Sequence, residues 1–414
     1  MAFGVNSLCL LLLVLGLQQY WAHGKQQVPC YFIFGDSLVD SGNNNFLLTL
    51  AKSNYPPYGI DFPTGATGRF TNGRTTVDVI AEKLGFESYI PSFATARGID
   101  ILKGVNYASG GAGILDESGR NLGERISLNR QMQNHLVSVL KIVGILGSKD
   151  LAVNYLNKCI YTVTIGSNDY INNYFLPRFY STSSQYNPQQ YAQVLARRYA
   201  QQLMTLYSFN ARKIALFGLG HIGCTPGEVA MYGTNGSSSC VEKINSAGQL
   251  FNAELKSLVD GLNKILTDAN FTYINTYDMT TSIAASPAER LGYDSLIPPF
   301  ASASGIEILR GVNYASGASG IRDETGKQVG QRISFNRQIS NHNSAIASIT
   351  GLLGNETSAT AYLNKCLYSV AFGTNDYLIN YFAPQLYTTS RQYTPEQYGD
   401  VLIRQYSQQI KVVN

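Results

Sequence analysis

The apolar run Tyr31-Phe-Ile-Phe34 is cut off by Gly35-Asp-Ser37, and this boundary constrains the fold more than any other feature of the chain. Aromatic and β-branched residues in succession read as a strand, and the turn after them leaves the Ser37 hydroxyl at the strand's carboxyl end. In an open α/β sheet the crevice beyond the strand ends is where ligands bind, so a serine held there is a candidate nucleophile. The same letters also describe a strand followed by a helix cap, with Asp36 or Ser37 accepting from a first-turn amide.

Further apolar runs alternate with longer amphipathic stretches. Strands are expected at 31–35, 104–108, 160–165, 212–218 and 271–277, and helices at 74–84, 127–145, 188–208 and 241–268. Alternation of this kind predicts an α/β fold, a parallel sheet covered by helices on both faces. With 414 residues, 44% hydrophobic and 14% charged, the chain is long enough for more than one core. The net charge of +4 is mild and its basic residues are scattered, which argues against a nucleic-acid partner.

Two other blocks stand at expected strand ends: Gly104-Val-Asn-Tyr-Ala-Ser-Gly-Gly-Ala-Gly-Ile114 and Ile160-Tyr-Thr-Val-Thr-Ile-Gly-Ser-Asn-Asp169. Together with Tyr31 to Asn45 they resemble, in order and spacing, the first three blocks of the plant-type GDSL esterases and lipases, a branch of the SGNH hydrolases. The resemblance implies a flavodoxin-like five-stranded parallel sheet and a small-molecule ester or lipid substrate, with no cofactor and no metal. It makes Ser37 the nucleophile, and it makes the N–H groups of Ser37 and Gly111 and the Asn168 amide the oxyanion donors. Chemistry asks for such donors, because losing one preorganised hydrogen bond to a developing oxyanion costs roughly 100- to 1,000-fold in rate.

The family's general base, a His in a C-terminal Asp-x-x-His block, has no counterpart, since no Asp here is followed three residues later by His. Of the four histidines, His23 lies in the leader and His135 and His342 lie in helix-like stretches expected to be structural or on the surface. His221, in a loop after an expected strand, is the one candidate for a substitute base. An internal repeat accounts for the gap: residues 81–207 align without gaps with 288–414, at an offset of 207. The second copy has no Gly-Asp-Ser block and carries Ala318 in place of Gly111. It is expected to supply two core strands, at 311–315 and 366–372.

Leu8 to Leu17 followed by Ala22-His-Gly24 reads as a signal peptide, too short to span a bilayer, and no later apolar run is long enough to do so. Sequons at Asn235, Asn270 and Asn355 agree with secretion as a glycoprotein. Among the remaining cysteines, Cys224 and Cys240 flank a loop they can close, Cys30 is placed to pair with Cys159, and Cys366 is left over. Gly218-Leu-Gly-His-Ile-Gly223 fits a dinucleotide pattern, but no helix start follows it and it belongs to a fourth strand. The expected organisation is a signal peptide at 1–24, a hydrolase domain at 25–287 and a partial repeat at 288–414. The functional reading is a secreted carboxylic ester hydrolase weakened or silenced by the missing Asp and His. The alternatives are a non-catalytic protein binding lipid or acylated sugar, and a fused or truncated product of two tandem genes.

Overall fold

A computed structural model describes residues 26–233, 240–285, 292 and 296–413. The expected signal peptide, the Asn235 sequon and most of the expected junction between repeat copies lie outside the described residues. Two compact units divide the chain, the first ending at Ala284 and the second beginning at Ala285.

In the first unit four parallel strands, β1 (Tyr31–Gly35), β2 (Ile160–Thr164), β3 (Lys213–Phe217) and β4 (Asn270–Ile274), lie side by side in that order. The fifth expected strand, 104–108, is reduced to a bridge from Asn106 to Ile33. It still hydrogen-bonds along the free edge of β1: Ile33 N–H donates to Val105 O (3.1 Å), Tyr107 N–H to Ile33 O (2.7 Å) and Ser109 N–H to Gly35 O (3.1 Å). The spatial order is therefore segment 105–109, β1, β2, β3, β4, the arrangement expected of a flavodoxin-like sheet. The strand expected at 271–277 stops at Ile274, and the helix Thr276–Ala285 begins there.

Side chains alternate across the sheet, as strand geometry requires. Phe32, Phe34, Tyr161, Val163, Ile214 and Leu216 enter the main core with residues from the helices Leu128–Leu146, Pro188–Ser208 and Glu242–Ile265. Tyr31 and Ile33 face the other way, onto Val77 and Ala81 of the helix Thr76–Lys83. On that second face burial fades across the sheet: Ile33 and Thr162 are buried, Ala215 is half-buried and Thr272 is exposed. The helices start where their caps dictate. Thr75 and Asp78 form a capping box, and so do Asn187 and Gln190 ahead of Pro188. Disulfides join Cys30 to Cys159 and Cys224 to Cys240, and Cys366 is free and exposed.

The second unit is helical, with helices Phe335–Leu353, Glu356–Leu363 and Pro395–Val413 around a small cluster of Ile321, Tyr381, Tyr398 and Leu402. Its expected strands at 311–315 and 366–372 do not form. Among the described residues of this unit the sole pairing is an isolated bridge between Pro299 and Asn313. The physical reason is that a parallel strand needs neighbours. In the first unit β2 lies between β1 and β3, and the second copy contains no counterpart of either. Leu367, Tyr368 and Val370, whose equivalents Ile160, Tyr161 and Val163 lie within the sheet, are consequently exposed.

An unpaired apolar segment and a small core make the second unit the less stable one. Limited proteolysis with mass spectrometry should cut within 296–413 before 26–233. Survival of the C-terminal fragment while the first unit is cleaved would contradict this.

Candidate active site

Gly35 ends β1 at a point where no side chain fits: an added Cβ would lie 2.5 Å from Thr164 O and 2.5 Å from Val39 Cγ2. Its N–H donates to Gln131 Oε1 (2.9 Å), and its carbonyl accepts from Gln131 Nε2 (2.8 Å) and Ser109 N–H (3.1 Å). These bonds fix the start of the turn that carries Asp36 and the half-buried Ser37. No helix starts directly after β1: Asp36 Oδ1 accepts from Leu38 N–H at 3.0 Å within a turn, so the helix-cap expectation does not hold here.

The sequence-predicted site residues are drawn together through bonds made by their immediate neighbours. Asp40, fully buried, accepts from Gly42 N–H and Asn43 N–H (both 2.8 Å) and from Gly110 N–H (3.0 Å). Asn44 Nδ2 donates to Gly110 O at 2.9 Å and to Ala51 O at 2.8 Å. Gly111 sits between these contacts with φ +80°, a left-handed conformation that glycine adopts at little cost. Asn168 Nδ2 donates to Ala112 O at 2.9 Å, and its Oδ1 accepts from Asn172 Nδ2 at 2.7 Å.

Asp36, Leu38, Gly110 and Ala112 all spend their N–H groups on internal acceptors. Among the described residues neither Ser37 N–H nor Gly111 N–H has one, and the Ser37 hydroxyl has no hydrogen-bond partner. Asn168 uses one of its two amide hydrogens.

Three roles escaped the sequence reading. Asp169, next to Asn168 and fully buried, accepts from Ile114 N–H (2.8 Å), Leu115 N–H (3.0 Å) and Ser118 Oγ (2.7 Å), clamping the second block onto the third. Asn43 holds Asn106 O and Ala108 O, and Gln131 grips Gly35. The available signal was the density of short amide and carboxylate side chains directly after an apolar strand.

Among the described residues no histidine is hydrogen-bonded to Ser37. His135 is buried under β1, edge-on to Phe32 (4.9 Å) and Phe34 (5.4 Å), with Nδ1 3.1 Å from Tyr107 Oη. Burial pulls its pKa down to about 3, so it stays neutral. His342 has the equivalent place, 3.2 Å from Tyr314 Oη. His221 is committed elsewhere, with Nδ1 2.8 Å from Thr280 Oγ1, Nε2 3.2 Å from Thr281 Oγ1 and its ring packed on Tyr277 at 3.9 Å.

With strand, turn and donors in place, the sequence profile of the GDSL-like lipase/acylhydrolase family matches residues 31–294. This chain belongs to the GDSL lipase/acylhydrolase family. A GDSL esterase/lipase of Arabidopsis thaliana is 57% identical over 265 residues, which is 64% of this chain and 73% of that protein. A second from the same plant is 54% identical over 284 residues, 69% of this chain and 77% of its own length. A third is 56% identical over 272 residues, 66% and 75% of the two chains. As a GDSL esterase/lipase the protein is a hydrolase acting on ester bonds. No helix among its described residues is long and apolar enough to cross a membrane.

The carboxylates of this GDSL site are held in an environment that disfavours their charge. Burial pushes Asp36 up to about 7, with Asp169 and Asp40 adding repulsion against the Leu38 N–H bond. Asp40 and Asp169 are likewise pushed up to about 6 by burial, against their backbone donors. The folded state thus binds the Asp36 proton more tightly than the unfolded chain, whose carboxyl titrates near 3.8. The stability this group contributes is full below about pH 4 and is lost as pH rises through about 7. Asp36→Asn keeps an acceptor for Leu38 N–H and cannot ionise. Its stability relative to the native chain should therefore rise between about pH 4 and pH 8, by on the order of a few kcal/mol. Urea unfolding at both pH values measures the difference, and His135, which works in the opposite sense, cancels. A gap independent of pH would contradict the assignment.

Proposed function

We propose that the chain is a secreted esterase whose chemistry is centred on Ser37 and whose turnover is slow. What supports this reading is that, among the described residues, the Ser37 hydroxyl, the N–H groups of Ser37 and Gly111 and one Asn168 amide hydrogen are without partners, and no base hydrogen-bonds Ser37. Ser37 Oγ attacks the ester carbonyl, and the negative charge that forms on the carbonyl oxygen is met by the three donors. Collapse of the tetrahedral species breaks the bond to the alcohol and leaves an acyl-Ser37 ester, which water cleaves to the carboxylic acid and free serine. The serine proton has no histidine to receive it and passes to solvent, which makes the first step slow. Two disulfides support an oxidising, extracellular destination for the mature chain after removal of residues 1–24.

We read 25–287 as the hydrolase domain and 288–414 as a partial repeat without an esterase site. The Asp169 clamp recurs at Asp376, which accepts from Ile321 N–H (2.7 Å), Arg322 N–H (3.1 Å) and Thr325 Oγ1 (2.7 Å). No nucleophile accompanies it, and Ala318 is forced into φ +61° where the first unit has glycine. A second reading, a groove that binds acyl lipid without cleaving it, is favoured by the same lack of a base.

Hydrolysis of short p-nitrophenyl esters should be far slower than by a complete family member, and Ser37→Ala should lower it further, to the level of about a thousandfold over water that donors and binding alone sustain. Normal turnover abolished by Ser37→Ala would overturn the slow-enzyme reading and point to a base recruited in solution. In the same assay Asn168→Ala should lower the residual rate, while Asn375→Ala leaves it unchanged. Equal losses would contradict the placement of the site in the first unit.

A further inference from the structure

We infer that the loop following Ser37 is a lipid-docking face, which seats the proposed esterase site on the surface of an electrically neutral lipid aggregate. This rests on the reading of Ser37 and Gly111 as site residues, but it is carried by a separate observation. Leu38, Phe46, Leu48 and Leu50 are 61%, 70%, 83% and 82% exposed. Large apolar side chains scattered singly over a surface need no explanation; four within thirteen residues beside a site do.

Their exposure is built into the backbone. Residues 48–50 run antiparallel to 122–124: Leu50 N–H donates to Leu122 O (2.8 Å), Glu124 N–H donates to Leu48 O (2.9 Å), and Thr49 bridges Gly123. Alternation along this extended stretch turns Thr49 inward, where its Oγ1 donates to Leu122 O (2.9 Å), and turns Leu48 and Leu50 together to the outside. Asn44 Nδ2 on Ala51 O and Lys52 Nζ on Asn45 O (3.1 Å) tie this stretch to the turn that carries Phe46. The leucines are thus presented on an extended segment braced by residues 122–124, not on a loose tip.

The place of this face argues for what covers it. Leu38 follows Ser37 directly. A Cβ added to Gly111 would lie 3.2 Å from Leu122 Cδ1 and 3.9 Å from Ala51 Cβ, so the paired segments also border the second proposed donor. A surface resting on these side chains meets the protein where an ester must enter. Charge selects among surfaces: between Ser37 and Lys52 the sole ionisable side chain is Asp40, which is buried. At the edge Lys52 and Arg120 are matched in number by Glu117 and by Glu124, whose carboxylate accepts from Leu48 N–H at 2.7 Å. A face without net charge gains nothing from anionic headgroups and gains from apolar insertion alone.

Sedimentation of the full chain with phosphatidylcholine vesicles tests this without any turnover. The native protein should pellet with the vesicles equally at low and high salt. Leu48→Ser/Leu50→Ser should lower its partition coefficient by about tenfold or more, with an unchanged melting temperature. A native chain that stays in the supernatant, a variant that pellets as well as the native chain, or binding abolished by salt would each overturn the proposal. So would a dimer by light scattering that is lost in the variant while vesicles are ignored, since a second copy then covers the face. Vesicle binding without hydrolysis of any ester would leave docking intact and count against the esterase reading; hydrolysis of soluble esters without vesicle binding would do the reverse.

Discussion

Everything in the first unit that bears on chemistry depends on the close approach at Gly35. Thr164 O and Val39 Cγ2 occupy the space a side chain would need, so β1 can end beside β2 only as glycine. Gln131 then takes both polar groups of Gly35, and Ser109 takes its carbonyl as well. One residue thereby joins the first strand, the long helix Leu128–Leu146 and the second glycine-rich block. The turn that follows inherits its direction from those bonds, and Ser37 emerges at the sheet's carboxyl edge because the backbone has no other exit.

Around that point the structure buries polar side chains to an unusual degree. Asp36, Asp40, Asn43, Asn44, Asn106, Asn168 and Asp169 are all buried, and burial of so many groups is tolerable only because nearly every atom finds a partner. Asp36 Oδ2 is an exception. The result is a tightly bonded frame in which Ser37, Gly111 and Asn168 are among the few positions with an unused N–H. Preorganisation of this kind is set by the network behind the donors, so Asp40 and Asp169 govern the geometry without facing an ester themselves.

The second unit shows how much of this frame is local. The Asp376 clamp, the Thr389 to Asn380 bond (2.5 Å) and the contacts of Gln409 with Ile321 O (2.9 Å) and Asn336 (2.8 Å) all persist where no sheet exists. They match Asp169, the Thr182 to Asn173 bond (2.5 Å), and Gln202 with Ile114 O and Asn129 (both 2.9 Å) in the first unit. Helix caps and loop clamps join residues close in the chain or within one repeat copy, whereas strand ladders need partners this copy does not contain.

The sequence by itself determined the alternation of strands and helices, the approximate helix ranges, both disulfides, and the three blocks that mark the family. Those features depend on local periodicity and cysteine pairing, both of which are written in nearby letters. Tertiary structure alone decided the rest. The apolar letters of 366–372 read as a strand but stay exposed, because strand formation is a property of pairs. Residues 104–108 read as a full strand and make only isolated bridges, from Asn106 to Ile33 and to Ser92. His221 read as a candidate base, yet Tyr277, Thr280 and Thr281 claim it, and that contact arises only when the helix after β4 folds back over the loop after β3. Asp169 read as an unremarked neighbour of Asn168 and became the clamp of the site, because its bonding partners lie more than fifty residues away in the chain.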